Sequence, residues 1–384
     1  MSHEPLRIMV VSGSRADWGY LSVPLALLRD DSSFALSLVV TGQHLDAASG
    51  NSASVIAGEG FTIAARVAMT PEGDNPQAVT SAMGNGLADF SDVIAALKPE
   101  VMLLLGDRYE ILVAATAAMM ARVPIAHLAG GDITEGAIDD AIRHAISKMA
   151  HLHFPTNTEA AKRLARLGEN PAHIHAVGST GLDRLLKVRR LARDDLFARI
   201  GFTPRRRNLL VTLHPVTLDA DPLHDAEAAL EALHGLGDEF GIIFTGSNAD
   251  VGGTTLSGRL REFVQSHENA ILHPSLGSEL YVNAITHCDA VLGNSSSGLY
   301  EAPSLKVTTV NIGTRQNGRL RATSVIDCEA TAEAIRSAIA KALTLDCSAT
   351  VNPYGDGHAA ERIVTVLKQI GDPASLLRKR FHLG

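Results

Sequence analysis

Cysteine is scarce in this chain. Three occur in 384 residues, Cys288, Cys328 and Cys347, an odd number without the paired spacing of a metal site. That argues against a disulfide framework and leads to the expectation of a reducing, cytoplasmic compartment. Basic charge is also in short supply. With 34 Lys and Arg against 42 Asp and Glu, the net charge is −8, which argues against nucleic acid as a partner, since duplex binding is driven by basic surface. A small anionic ligand stays compatible, because a few arginines gathered in one place create a local positive field. The one basic cluster near an end, Leu377-Arg378-Lys379-Arg380, reads as a solvated helix terminus. No apolar stretch reaches the roughly 20 residues that span a bilayer. The segment from Met1 to Pro5 lacks the basic-then-apolar pattern of a signal peptide. No membrane partner is expected.

What the chain has is apolar material, 46% of its residues, enough for a large core; its length suggests two domains. Short apolar runs alternate with helical stretches throughout. Arg7 to Val11, Leu36 to Thr41, Val101 to Leu105, Pro124 to His127, Leu152 to Phe154 and Ile174 to Val177 read as one series of strands. Asn208 to Thr212, Gly241 to Thr245, Ala270 to His273, Ala290 to Leu292 and Val307 to Asn311 read as a second. Strands apolar on both faces and separated by helices predict parallel sheets covered on both sides. The fold class is therefore α/β with two Rossmann-like domains. The turn-rich Gly178-Ser-Thr-Gly181 is the expected junction, giving domains of 1–178 and 182–361.

In such sheets ligands sit beyond the carboxyl ends of the strands, and the candidate chemistry falls there. Gly13-Ser14-Arg15 follows the first strand, but its glycine spacing fits neither the dinucleotide fingerprint nor a Walker loop. Arg15 suits bidentate phosphate pairing or a bridge to a neighbouring loop. Asp107, after four apolar residues, emerges at the sheet edge beside Arg108 and Glu110, as a general base or as a helix cap. The loop from His127 to Gly136 carries Asp132 and Glu135. It leads into a stretch whose apolar positions 138, 142, 146 and 149 mark a buried helix face. Asp139 at the start of that helix reads either as a functional acid or as the partner of Arg143 in a surface ion pair.

In the second series, His214-Pro215 leaves the first strand, where a histidine can bind phosphate, shuttle a proton or simply be solvated. Asn294-Ser295-Ser296-Ser297-Gly298 follows a strand and opens what reads as a helix, with Glu301 on its first turns. Unpaired N–H groups and serine hydroxyls there suit a diphosphate, and Glu301 a ribose; helix capping by Ser295 is the plain alternative. Arg315, Arg319 and Arg321 form a late basic loop, either a lid over phosphates or a solvated surface. His151-x-His153 and His173-x-His175 lack a third acid or cysteine nearby, so a metal centre is rejected.

Together these segments resemble the hydrolysing UDP-N-acetylglucosamine 2-epimerases of sialic-acid biosynthesis and their relatives acting on UDP-2,4-diacetamido-2,4,6-trideoxy sugars on the legionaminic acid route. The matching segments are Gly13 to Tyr20, Gly106 to Glu110, Thr134 to His144, His151 to Phe154, Val177 to Asp183, Asn294 to Gly298 and Asn311 to Gln316. The resemblance implies a GT-B architecture, two Rossmann-like domains around a central cleft, with a last helix of about 362–384 returning to the first domain. It implies homodimers or homotetramers working without metal or nicotinamide. The implied chemistry is anti elimination of UDP to a glycal, then addition of water to give the free C2-inverted sugar. On that pattern Asp107 and Asp139 match catalytic acids, with Asp132 and His214 beside them. Arg15, His214, Ser295, Ser296, Ser297, Gly298 and Arg315 match the UDP site, and Glu301 its ribose contact. One departure is Ala129, where many members using UDP-N-acetylglucosamine carry a glutamate; Asp132 is a nearby substitute, and weight shifts toward the diacetamido substrate. The nearest alternatives are a UDP-sugar-dependent GT-B glycosyltransferase, a non-hydrolysing epimerase and a non-catalytic nucleotide-sugar sensor.

Overall fold

The computed structural model describes residues 4–46, 52–73, 75–134, 138–216, 221–246 and 253–383. Glu135 and Gly136 lie outside these. The chain divides into two units: residues 1–186 with 354–384, and residues 187–353. The Gly178–Gly181 turn lies within the first unit, at the start of the helix Thr180–Lys187.

The first unit holds β1 (Leu6–Ser12), β2 (Phe34–Thr41), β3 (Ile63–Val67), β4 (Val101–Leu105), β5 (Ile125–Leu128) and β6 (Leu152–Phe154), in the order β3-β2-β1-β4-β5-β6. The second holds β7 (Arg207–Thr212), β8 (Phe240–Thr245), β9 (Ala270–His273), β10 (Ala290–Gly293), β11 (Thr308–Ile312) and β12 (Val325–Cys328), in the order β12-β11-β10-β7-β8-β9. Every pairing is parallel. Each sheet has the doubly wound order of a dinucleotide-binding fold, and two such units make up the α/β, GT-B class.

Alternation along the central strands divides the core into two layers per sheet. Ile8 and Val10 of β1 join one cluster, Met9 and Val11 the other. Leu209 and Val211 of β7 face one side, Leu210 the opposite one. A strand covered on both faces can be apolar throughout, as β4 is with five buried residues.

Several expectations need correction. Ile174 to Val177 is not a strand; Ile174 makes a single bridge to His153. β6 is three residues long and is followed by Pro155, which has no N–H to continue a ladder. The edge strands β3 and β12 escaped sequence reading because an exposed charged residue, Arg66 in the one and Asp327 in the other, interrupts each short apolar run. Ile138 is 78% exposed rather than buried. The inner face of its helix, Ile138–Met149, is filled by Arg143, Ile146 and Ser147.

The helix expected after Asn294 is one turn, Ser297–Tyr300, followed by a 3-10 turn, Ala302–Leu305. Pro303 has no N–H to extend an α-helical ladder. The final helix spans Ala359–Lys368, not 362–384. It packs Ile363, Val364 and Leu367 into the first unit's core, and the buried Asp183 carboxylate caps it, accepting from the N–H groups of Ala359 (3.2 Å) and Ala360 (2.8 Å). The basic tail is not merely solvated. Lys379 Nζ donates to the buried Glu169 at 2.6 Å and to the carbonyls of Lys148 (2.7 Å) and Ala150 (2.6 Å), closing the end of the helix Ile138–Met149.

Candidate active site

In the second unit a cavity of about 440 Å³ opens at the carboxyl ends of β7 and β8 and the start of the Ser297–Tyr300 turn. Thr212, His214, Thr245, Tyr281, Ser295, Ser297 and Glu301 line it, so four of the expected residues, His214, Ser295, Ser297 and Glu301, share one space, while Ser296, Gly298 and Arg315 lie outside its lining. Strand β10 ends at Gly293, opposite Thr212 of β7. Gly293 has φ +134, and a Cβ there would collide with the Thr212 carbonyl oxygen, so only glycine lets the chain pass so close. Asn294, fully buried, then bonds the next loop: its Oδ1 accepts from the His214 N–H (2.8 Å) and its Nδ2 donates to the His214 carbonyl (2.9 Å). The Asn294 carbonyl accepts from Gln316 Nε2 (2.8 Å) and from Arg315 Nη1 (3.2 Å).

The serines form a hydroxyl chain, and Ser295 Oγ also accepts the Ser297 N–H at 3.4 Å at the start of the turn. Tyr281 OH and Ser297 Oγ lie 2.5 Å apart, and Ser297 Oγ donates to Ser295 Oγ at 3.2 Å. The Ser296 carbonyl accepts the N–H groups of Leu299 and Tyr300 (both 3.0 Å), and the Gly298 carbonyl accepts Thr309 Oγ1 at 2.8 Å. Glu301 Oε2 is buried without a hydrogen-bond partner. Burial pushes the Glu301 carboxyl up to about 7. Such a group is suited to a ligand bringing hydroxyl donors, which would satisfy and ionise it. Burial, and then the charge of Glu301, pushes the Tyr281 phenol up to about 12.

In the first unit Arg15 is exposed at the first position of the helix Arg15–Arg29, just past β1. Ser14 caps that helix, accepting from Asp17 N–H (3.2 Å), while Asp17 accepts from Gly13 N–H (3.0 Å). The adjacent His44 is fully buried, with Nε2 2.8 Å from Ser12 Oγ and Nδ1 2.7 Å from Ser52 Oγ. Burial, and then the charge of Arg15, holds it down to about 4. It is a neutral support at working pH.

Asp107 follows β4 and accepts from Arg143 Nη2. Arg143 is the residue that sequence reasoning undervalued. Buried on the inner helix face, it also donates to the Asp132 carbonyl (2.9 Å), to Thr134 Oγ1 (2.8 Å) and to Asp140 (3.4 Å). The expected surface pair with Asp139 is thus replaced by a buried hub. Only its placement four residues after Asp139, with Ile142 and Ile146 around it, hinted at this. Asp139 is left half-buried, its carboxyl raised by burial and then by the negative charge of Asp107.

Asp132 turns its carboxylate away from that hub, accepting from Thr156 Oγ1 (3.0 Å) and Asn157 Nδ2 (3.1 Å); burial raises its carboxyl too. Glu110, 1% exposed, is clamped by Arg108 at 3.2 Å. His127, buried beneath, donates from Nε2 to the Gly106 carbonyl at 2.8 Å, and burial holds it down to about 3. Ala129 takes φ +59, an uncommon conformation for a side-chain-bearing residue.

The histidine pairs are structural. His151 Nδ1 accepts from Ile125 N–H (3.1 Å), and His153 Nε2 lies 2.9 Å from Glu169. Among the described residues no group of three His, Cys, Asp or Glu could hold a metal ion. No helix among them is long and apolar enough to cross a membrane.

Residues 26–368 match the profile of the family described as UDP-N-acetylglucosamine 2-epimerase. The chain is similar, at 35% identity over 97% of its length and 98% of the relative's, to a protein of Legionella pneumophila named UDP-N,N'-diacetylbacillosamine 2-epimerase (hydrolyzing). It is 35% identical, over 84% of both chains, to a Campylobacter jejuni protein named GDP/UDP-N,N'-diacetylbacillosamine 2-epimerase (hydrolyzing). Among solved structures, a Listeria monocytogenes protein titled as a UDP-N-acetylglucosamine 2-epimerase shares the fold with a TM-score of 0.79. It does so at 19% identity, over 95% of this chain and 96% of that one.

Proposed function

We propose, for a chain that belongs to the UDP-N-acetylglucosamine 2-epimerase family and is an enzyme of its hydrolysing type, that the substrate is a UDP-2,4-diacetamido-2,4,6-trideoxyhexose. The identity to two relatives named for such a sugar supports this choice, as does Ala129 in the place of a glutamate carried by many users of UDP-N-acetylglucosamine.

The observation that carries the mechanism is the Arg143 hub. It fixes one carboxylate, Asp107, while burial and the charge of Asp107 raise the proton affinity of a second, Asp139. A carboxyl of raised proton affinity beside a carboxylate held in place suits sequential acid and base steps. In the first step a base takes the proton from C2, the electron pair forms the C1=C2 bond, and the C1–O bond breaks with its electrons going to UDP. In the second, water adds its oxygen to C1 and C2 receives a proton, giving the free sugar with C2 inverted. We assign Asp107 and Asp139 to these proton transfers, with Asp132 holding the loop between them.

The departing diphosphate needs charge stabilisation present before reaction. Arg15, His214, Ser295, Ser296, Ser297, Gly298 and Arg315 are assigned to it, and Glu301 to the ribose hydroxyls. We further place the enzyme in the cytoplasm as a homodimer or homotetramer, with neither nucleic acid nor membrane as partner. Purified protein supplied separately with the diacetamido nucleotide and with UDP-N-acetylglucosamine, and no acceptor, tests the choice. The proposal expects UDP release with kcat/KM at least tenfold higher on the first; a preference for the second contradicts it.

A further inference from the structure

β7 and β10 pair in parallel up to Thr212 and Gly293, where the regular ladder stops. One residue on, the contact continues through a side chain. The Asn294 amide meets both polar groups of the His214 backbone, at 2.8 and 2.9 Å, as a further rung would. A carboxamide carries a donor and an acceptor on one carbon and in one plane, as a peptide group does, and asparagine is the shorter of the two side chains that have one. The peptide of Asn294 is gripped from its other side by Gln316 Nε2 at 2.8 Å, and Gln316 is itself 1% exposed. Asn294 is 0% exposed and lies outside the residues lining the cavity. It is therefore well placed to support the pocket and poorly placed to touch what fills it.

We propose that Asn294 is a positioning residue. Its amide ties the loop bearing His214 to the turn bearing Ser295, fixing the spacing of the phosphate-binding groups before a ligand arrives. This rests on the reading that the pocket takes a uridine diphosphate. A donor set held at one spacing loses no ordering entropy on binding, and the benefit falls on the part of the ligand those donors touch. The clamp therefore acts on the diphosphate and leaves the nucleoside alone.

The test compares UDP and uridine binding to the full-length protein and to Asn294→Ala, Asn294→Asp and Gln316→Ala. Wild type binds UDP at least a hundredfold more tightly than uridine. In Asn294→Ala and Asn294→Asp that ratio falls at least tenfold, with uridine affinity within threefold of wild type. Gln316→Ala, which loosens the same peptide from outside, lowers the ratio by a smaller factor and decides the matter if the Asn294 variants do not fold. A general loosening would weaken both ligands together. Variants that fold and keep the wild-type ratio, or lose UDP and uridine affinity in equal proportion, overturn the proposal. A wild type without preference for UDP overturns the reading beneath it instead.

Discussion

Arg143 donates to the carboxylate of Asp107 while buried among Asp132, Thr134 and Asp140. A cation so enclosed cannot be removed without leaving several acceptors short. Arg143→Met should lower kcat at least a hundredfold, because Asp107 loses its fixed orientation. It should also destabilise the protein by about 3 kcal/mol, the scale of breaking a buried ion pair. Arg143→Lys should restore part of the stability and little of the rate, since an ammonium cannot reproduce the fork geometry. Single-turnover rates and urea melts of the two variants check this.

Asp107→Asn and Asp139→Asn should each reduce kcat by roughly 10²- to 10⁴-fold, the usual scale for a lost general acid or base. The UDP-binding groups of the second unit are untouched, so UDP affinity should stay within threefold of wild type. Normal turnover in both variants contradicts the assignment.

Glu301 yields a pH dependence whose sign can be worked out. Its folded pKa, about 7, is raised by burial. The free enzyme therefore holds a proton there at pH 6 and has largely lost it by pH 8. Ribose hydroxyls that donate to the carboxylate favour the ionised form, so UDP binding should release a proton near pH 6.5 and tighten as pH rises toward 8. Calorimetry in buffers of different ionisation enthalpy reads the release directly. Glu301→Gln should abolish that part of it while retaining any contribution from the ligand's own phosphate.

Glu169 titrates in the opposite sense. Burial raises its pKa, but His153, Lys148 and Lys379 outweigh burial and hold it down to about 2. A carboxyl depressed in the folded state contributes stability that is present above its unfolded pKa, about 4.3. That contribution is lost as pH falls through the folded value. The protein should therefore lose stability between about pH 4.5 and pH 2, and Glu169→Gln should show a flatter loss over that window from a lower starting point. Chemical melts across the range decide it.

Much of this architecture was legible because buried parallel strands advertise themselves. Val101 to Leu105 and Ala270 to His273 were read with their observed limits, the first because a strand covered on both faces is apolar throughout, the second, a half-buried edge strand, because its short apolar run is sharply ended. β3 and β12 were not legible: each is a short edge strand whose apolar run is broken by an exposed charge, Arg66 or Asp327. The pocket residues His214, Ser295 and Glu301 were found because strand ends collect ligands, and they do line one cavity. Arg143 was read only as a surface ion-pair partner of Asp139, and Tyr281 and Asn294 were assigned no role, for the opposite reason. Their importance lies in partners distant in sequence, such as Asp107 and His214, and a single chain of letters does not record such pairings. Burial of an arginine in a helix whose face reads as apolar is a signal only once the fold is known.

The central claim, that this chain eliminates UDP across C1–C2 and then hydrates the resulting glycal, is tested most directly by turnover in deuterated water. Nuclear magnetic resonance of the sugar released from the diacetamido nucleotide, without acceptor, should show inverted configuration at C2 and one deuterium bound to that carbon. Free sugar that keeps its original C2 proton and configuration would mean simple hydrolysis, and would contradict the account.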